Sequence, residues 1–435
     1  MAMTNASRWY WLKRRAYREN KENTAVGSST ILTPTSTATG VTAASAAVLA
    51  TKAYPAAHPS GATSGLSIKS LAADTFVAAR WPAAQIPANF KLQNALIVGM
   101  WVYWGANQGS VALRFTSDNF STKNKTFSWA WSGQLHKGWN LLTVKPAGTA
   151  AVNPNGSSWT VAGGFLDSDT VNGIEVQIST NGAVETEIYL GGIFYHTAVP
   201  TRGAVMFGFD KYGEASIPGK ALPILKAQGF KGYWAGDANL IENPSSSLSL
   251  LSQVYEEGWD AITQGKDHGD YTQPANKALL ASHIDYARGI MSKWSFTRAI
   301  NLFSYPLSAN DVDTDAILAK KDVPMARSGW AWVIHPNQYN AGPKLLGYGA
   351  LNLGGKTFTT AKNYVDMAEQ LGVTVDIFCH GLTAGGTGST PPADTLYWYE
   401  EDYRSLVAYV KTKVSAGTLD LSLIHISEPT RLGMI

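Results

Sequence analysis

In the middle of the chain apolar and polar positions alternate in short runs, among them LIVGMWVYWG (96–105), SVALRFTS (110–117), KTFSWAWSG (125–133), WNLLTVKP (139–146), VNGIEVQIS (171–179) and VETEIYLGGIFYH (184–196). A period of two, carried by β-branched and aromatic residues and broken by Gly, Asn, Asp and Pro, predicts strands. Strands at this spacing predict an all-β sandwich over residues 64–200. After residue 201 the period changes. Apolar runs such as AVMFGFD (204–210), KGYWAG (231–236), WDAITQG (259–265), RAINLFSYP (298–306), VPMARSG (323–329) and VTVDIFCHG (373–381) alternate with helical patterns, for instance SSSLSLLSQVYEEG (245–258) and TAKNYVDMAEQLG (360–372). That alternation predicts about seven parallel βα units and a deformed (β/α) barrel over 201–420, with the boundary at 199–203.

Ahead of these modules, residues 1–24 form a basic, aromatic arm (RWYWLKRRAYR, 8–18), and residues 25–63, dominated by Ala, Thr, Ser and Gly, read as a linker or weakly ordered stalk. No apolar stretch of signal-peptide length follows the arm, and none reaches membrane-spanning length, so neither signal-peptide secretion nor membrane insertion is expected. LSLIHISEPTR (421–431) looks like the translation of a sequencing-library transposon adapter. Residues 421–435 are therefore set aside, the natural chain is expected to continue past Asp420, and His425 is given no role. The chain is 45% hydrophobic and 15% charged, with 41 Gly and 15 Trp among 435 residues, which excludes coiled coils and acidic disorder. A net charge of +3 is too small to argue for a nucleic-acid surface. The single cysteine, Cys379, can form neither an internal disulfide nor a cysteine zinc site.

In barrels of this kind functional residues sit where strands end, and here those ends carry Asp210, Gln264 with His268, Tyr305 and His380. Each has a structural reading beside the chemical one. Asp210 could cap the following loop, His380 could be a core histidine, His268 a solvated loop residue and Tyr305-Pro306 a turn. Trp330 and Trp332 in SGWAWVIHP share a face and could line a sugar groove or a core; the same choice stands for Trp101, Trp104, Trp129, Trp131, Trp139 and Trp159 in the first module. His283 and His335 are read as structural.

Gly208-Phe209-Asp210-Lys211-Tyr212, followed by ALPILKAQGFKGYW, resembles the first motif, helix and second strand of the polysaccharide deacetylase family, the NodB-type domain. Gly258-Trp259-Asp260 through Gln264 to His268 resembles its second motif, FSYPLSAND (303–311) its Arg- or Tyr-bearing strand, and IFCHG with His380 its final strand. The resemblance spans about 203–420. It implies a deformed β/α barrel that removes acetyl groups from glycans with a divalent metal, zinc, with Asp210 as base on the metal-bound water and His380 as acid. The implied ligand set is broken: Lys211 stands at the second Asp of the first motif, Gln264 at the first His of the second, and His268 alone keeps a ligand type. Zinc at a catalytic site usually takes three protein donors. Three readings stay open: hydrolysis without the metal, with the Lys211 ammonium polarising the carbonyl; a glycan groove without chemistry, in which Gln264, Tyr305, Trp330 and Trp332 contact sugar; or a metal rebuilt on Asp267, His268 and Asp270. A glycosidase would need a second carboxylate beside Asp210, Asp260 or Asp376.

The first module, with its Gly-Trp-Asn-Leu strand, IEVQIS and IYLGGIFY, resembles the jelly-roll modules of carbohydrate-active proteins. The expected partner is an acetylated cell-surface or extracellular polysaccharide, with no nucleic acid. The order arm, stalk, sandwich and barrel resembles phage tail proteins, which implies a homo-oligomer on a virion tail.

Overall fold

The structure, a computed structural model, describes residues 30–33, 38–44, 47–56, 58, 62–70, 76–105, 109–130, 135, 138–146, 159–180, 185–197, 202–329, 345–385 and 390–421. Trp131, Trp330, Trp332, His335, the arm and residues 422–435 lie outside them. Among the described residues the chain divides into two compact units, 30–197 and 202–421. No helix among them is long and apolar enough to cross a membrane.

The first unit contains twelve strands: β1 (Thr30–Thr33), β2 (Thr42–Ala44), β3 (Val48–Ala53), β4 (Ser64–Lys69), β5 (Phe76–Pro82), β6 (Ile97–Trp104), β7 (Ser110–Thr116), β8 (Asn124–Ala130), β9 (Gly138–Val144), β10 (Thr160–Ala162), β11 (Gly173–Ser179) and β12 (Glu187–His196). They form two antiparallel sheets, ordered β3-β4-β12-β6-β9 with β1 on β12, and β10-β8-β7-β11-β5-β2. Alternation decides what is buried. Val98, Met100, Val102 and Trp104 of β6, Val111, Leu113 and Phe115 of β7, and Ile174, Val176 and Ile178 of β11 join one apolar cluster fed by both sheets. Trp104, Trp129 and Trp159 belong to that core, whereas Trp101 and Trp139 lie half-buried around His58, Trp139 also packing edge-on against Tyr54 and Tyr103. The stalk expectation fails for the described part of 25–63. β1, β2 and β3 are in the sheets, where Leu32 joins the core cluster, Leu49 packs against it, and the backbone ladder accepts the small residues between.

The second unit is built on a parallel sheet: β13 (Gly203–Asp210), β14 (Tyr233–Gly236), β15 (Asp260–Thr263), β16 (Phe303–Ser304), β17 (Met325–Arg327), β18 (Leu345–Tyr348), β19 (Leu351–Asn352), β20 (Thr374–Cys379) and β23 (Leu419–Leu421). A separate pair joins β21 (Gly381–Thr383) to β22 (Tyr397–Tyr399). The large sheet runs β18-β17-β16-β15-β14-β13-β20-β19, with β23 on β13, every pair parallel. Its two edge strands, β18 and β19, are consecutive in the chain. Three residue steps from Tyr348 to Leu351 reach at most about 11 Å, whereas eight flat strands would extend over roughly 34 Å. The sheet must therefore curl, and it forms a curled parallel half-barrel, consistent with the deformed (β/α) barrel expected from the alternating pattern.

Helices α1 (Leu222–Ala227), α2 (Ser246–Glu256), α3 (Pro274–Lys293), α4 (Val312–Lys320), α5 (Phe358–Leu371) and α6 (Glu400–Ser415) flank it. Their ends are written locally. The Ser245 hydroxyl accepts from the Leu248 amide, Asp311 and Thr314 form a capping box, and Gly372, at φ 62°, closes α5 in the left-handed region. The strand expected over 298–306 shrinks to Phe303–Ser304, since Ala299 at φ 56° takes the backbone out of the extended region.

Candidate functional site at the carboxyl rim of the barrel

Because every strand of the large sheet runs the same way, their carboxyl ends share one rim. Asp210 is the last residue of β13, Asp237 follows β14, Gln264 follows β15, Tyr305 follows β16, Arg327 ends β17 and His380 follows β20. At the centre, Arg327 Nη2 donates to both Asp210 oxygens at 2.6 Å, and the two side chains are 2% and 7% exposed. Ser304 Oγ takes the same guanidinium at Nε (3.2 Å) and Nη2 (2.5 Å), and Phe378 lies under it at 4.0 Å. Burial opposes the guanidinium charge, yet Asp210, with Tyr233 and Asp376, holds it above the ordinary arginine value. Below it, Tyr233 donates to both oxygens of the buried Asp376 at 2.8 Å, and burial pushes that carboxyl up to about 7 against the pull of Arg327 and Tyr233.

Gln264, 2% exposed, donates from Nε2 to Asp210 Oδ2 at 3.4 Å. His268 presents Nδ1 to Asp237 Oδ1 at 3.2 Å, and that hydrogen bond raises its pKa above the ordinary imidazole value, with burial opposing and Asp210 adding. Burial, reinforced by Arg327, His268 and Lys211, lowers His380, although Asp210 pulls the other way. These mutual effects put Asp210, Lys211, His268, Arg327 and His380 in one electrostatic neighbourhood. Strained backbone marks the same rim: Lys211 (φ 70°), His268 (φ 59°), and the consecutive Leu307 (φ 54°) and Ser308 (φ 61°) occupy the left-handed region in the loops after β13, β15 and β16.

The structure thus brings together Asp210, Gln264, His268 and His380, with Lys211 exposed beside them. Tyr305 is turned away from any groove: it is 2% exposed, and its hydroxyl donates to Asp315 at the start of α4. Trp330 and Trp332 fall outside the described residues. Sequence reading missed Arg327, Ser304 and Asp237. The signal for Arg327 was available, since VPMARSG is an apolar run closed by a charge, as AVMFGFD is closed by Asp210.

No protein-family model matches this sequence, and no curated protein does. Solved structures give distant likenesses. A family 4 carbohydrate esterase from Streptomyces lividans, in complex with acetate, superposes at TM-score 0.34 with 14% identity, over 51% of this chain and 93% of its own. A CE4 esterase from Streptococcus mutans gives 0.34 with 11% identity over 51% and 87%. A peptidoglycan deacetylase from Bacillus subtilis gives 0.31 with 12% identity over 51% and 87%.

The donor set does not fit the zinc that the sequence resemblance implies. Lys211 brings a positive charge to one ligand position, Gln264 turns its amide nitrogen to Asp210 at another, and Asp210 is neutralised by Arg327. A metal rebuilt on 267–270 fares no better. Asp270 is consumed by Thr272 and Gln273, Asp267 faces His283 at 3.6 Å, and His268 is turned to Asp237. Among the described residues no group of three or more His, Cys, Asp or Glu is placed to hold an ion. The glycosidase pairs fail as well. Asp260 stands level with Gly208 in the ladder, two strands across from Asp210 and two residues below it, and its Oδ1 faces Arg298 Nε at 3.9 Å. Asp376 has both oxygens on Tyr233 beneath the rim.

Proposed function

We propose that the second unit is a glycan-binding barrel of the polysaccharide-deacetylase type, whose ligand is an acetylated polysaccharide and in which the metal-dependent reaction is lost. The observation that carries this reading is the Asp210–Arg327 pair. The carboxylate that would have to take a proton from water has both oxygens on one buried guanidinium nitrogen, and its neighbours Lys211 and Gln264 are not metal ligands. The Arg327 and Gln264 hydrogen bonds occupy three of the roughly four lone-pair sites of this carboxylate, and the side chain is 7% exposed, so little of it is in reach of a water's proton. What is kept is a rim of strained loops around a buried polar floor, with Leu307 65% exposed beside it, an arrangement suited to holding a ligand.

The first unit is proposed as an accessory jelly roll. Taking β4, β5, β6, β7, β8, β9, β11 and β12 as strands one to eight, the sheets pair as 1-8-3-6 and 2-7-4-5, the order of two interleaved Greek keys.

One observation favours a second reading, hydrolysis without a metal: Asp237 orients His268 through Nδ1, which leaves Nε2 free to exchange a proton with water. Acetate release separates the two. The full chain, incubated with acetylated polysaccharide with and without chelator, is expected to bind it and to release no acetate above the blank. Release abolished by Asp210→Asn or His268→Ala would overturn the binding reading, and chelator-sensitive release would restore the metal.

A further inference from the structure

The alternation that fills the core of the first unit also puts a charged row on the opposite face of its second sheet. Ala79 and Trp81, Leu113 and Phe115, and Ile174 and Val176 are core residues, so Arg80 of β5, Arg114 of β7 and Glu175 of β11, which stand between them, point away from that core. The ladders set Glu175 directly between Arg80 and Arg114. The same row continues to Thr42 on β2, Thr126 on β8 and Thr160 on β10. Five strand intervals make it roughly 24 Å long.

The charges in the row are layered. The Glu175 side chain is fully buried, whereas those of Arg80 and Arg114 are 32% and 17% exposed. Each guanidinium reaches the carboxylate through one nitrogen, Arg80 through Nε and Arg114 through Nη1 at 3.2 Å, and Gln177 Nε2 adds a third donor. Among the described residues no second carboxylate pairs with either arginine. The anion is thus the floor, and what faces outward is cationic, with one positive charge in excess. Arg80 is also held from the side. The Phe120 ring lies 4.6 Å from its guanidinium, and Asp118 pins the loop that carries Phe120 by accepting from the amides of Ser121, Thr122 and Lys123 at 3.2, 2.6 and 2.7 Å.

A guanidinium anchored through Nε keeps its two terminal nitrogens as a fork for a planar anion. The flanks of the row are threonine hydroxyls and not further cations, which does not suit the evenly spaced phosphates of a nucleic acid. A polymer that carries carboxylates among hydroxyl groups matches both parts. We propose that Arg80 and Arg114 form an anion site on the first unit that takes a uronate carboxylate of an acidic polysaccharide, with Glu175 as the positioning residue that aims both guanidiniums. The site stands apart from the barrel and does not depend on what the barrel binds.

The test uses the full chain with polygalacturonate, alginate and hyaluronan, each beside its carboxyl-reduced neutral form, with affinity measured by calorimetry at low and high salt. At least one acidic polymer should bind about tenfold more tightly than its reduced form and weaken as salt rises, and Arg80→Gln and Arg114→Gln should each bring that ratio to within about twofold. Each variant leaves Glu175 paired with the other arginine, so both are expected to fold; if one does not, the other decides. Lys226→Gln removes an exposed positive charge from the barrel and should leave the ratio unchanged. Equal binding of acidic and reduced forms for all three polymers, or binding of none, overturns the proposal. So does a ratio that survives both arginine variants, an equal loss in Lys226→Gln, or tighter binding of duplex DNA than of any of the polysaccharides.

Discussion

Replacing Arg327 by Met keeps most of the side-chain volume and removes the charge that Asp210 is built against. In the native protein both partners are almost completely buried, and one nitrogen holds both carboxylate oxygens at 2.6 Å. Breaking such a pair from one side strands a buried charge, at a cost of about 3–5 kcal/mol. A folding unit of this size loses roughly 2–4 °C per kcal/mol, so the barrel should melt about 6–20 °C lower. Asp210→Leu alone strands the guanidinium and should cost a similar amount. The double variant Asp210→Leu/Arg327→Met strands nothing and should cost clearly less than the sum, leaving a coupling of about 3 kcal/mol. Calorimetry with hydrogen exchange at the β13 and β17 amides isolates the barrel from the first unit. A single-variant cost below about 1 kcal/mol, or strict additivity in the double variant, would refute the claim that the pair is a closed, mutually dependent unit.

Three further outcomes follow from the same rim. Burial pushes both Asp376 and Asp315 up to about 7, far above the 3.8 of a free aspartate, so the folded state holds protons there that the unfolded chain has released. Barrel stability should therefore fall as pH rises from about 5 to 7, by up to about 1.4 kcal/mol per unit for each group; Asp376→Asn should remove its share in urea titrations at several pH values, and an unchanged slope would contradict the assignment. His268 should titrate above 6.5 by NMR and drop in Asp237→Asn, and the stability its charge adds is present below 6.5 and lost as pH rises through the folded value; no response to Asp237→Asn would break the dyad. Lys211→Gly should raise the melting temperature, since glycine adopts φ 70° without the side-chain penalty, worth about 1 kcal/mol. A fall instead would show that the lysine stem makes packing contacts.

The local pattern accounts for much of the fold. The change of period near residue 201 marks where antiparallel strands give way to βα units, and Ser245, Asp311 and Gly372 mark helix ends because capping is decided within a few residues. It failed for β1, β2 and β3, whose few apolar anchors, Leu32 and Leu49 among them, are too sparse to show a period, and which pair with β12, β5 and β4. At the site, strand-end reading placed Asp210, Gln264 and His380 on one rim without showing what each would face.

Sequence alone determined the two kinds of module, the rim on which polar residues gather, and the charge and amide that Lys211 and Gln264 bring to it, for these are properties of residue type and near-neighbour period. Only the tertiary structure decided that Asp210 meets Arg327, 117 positions away, that His268 turns to Asp237, and that Tyr305 points into the core. Such pairings depend on how far a curled sheet brings its strand ends together, and that distance is set by the packing of the whole barrel, not by any stretch of chain short enough to read as a pattern.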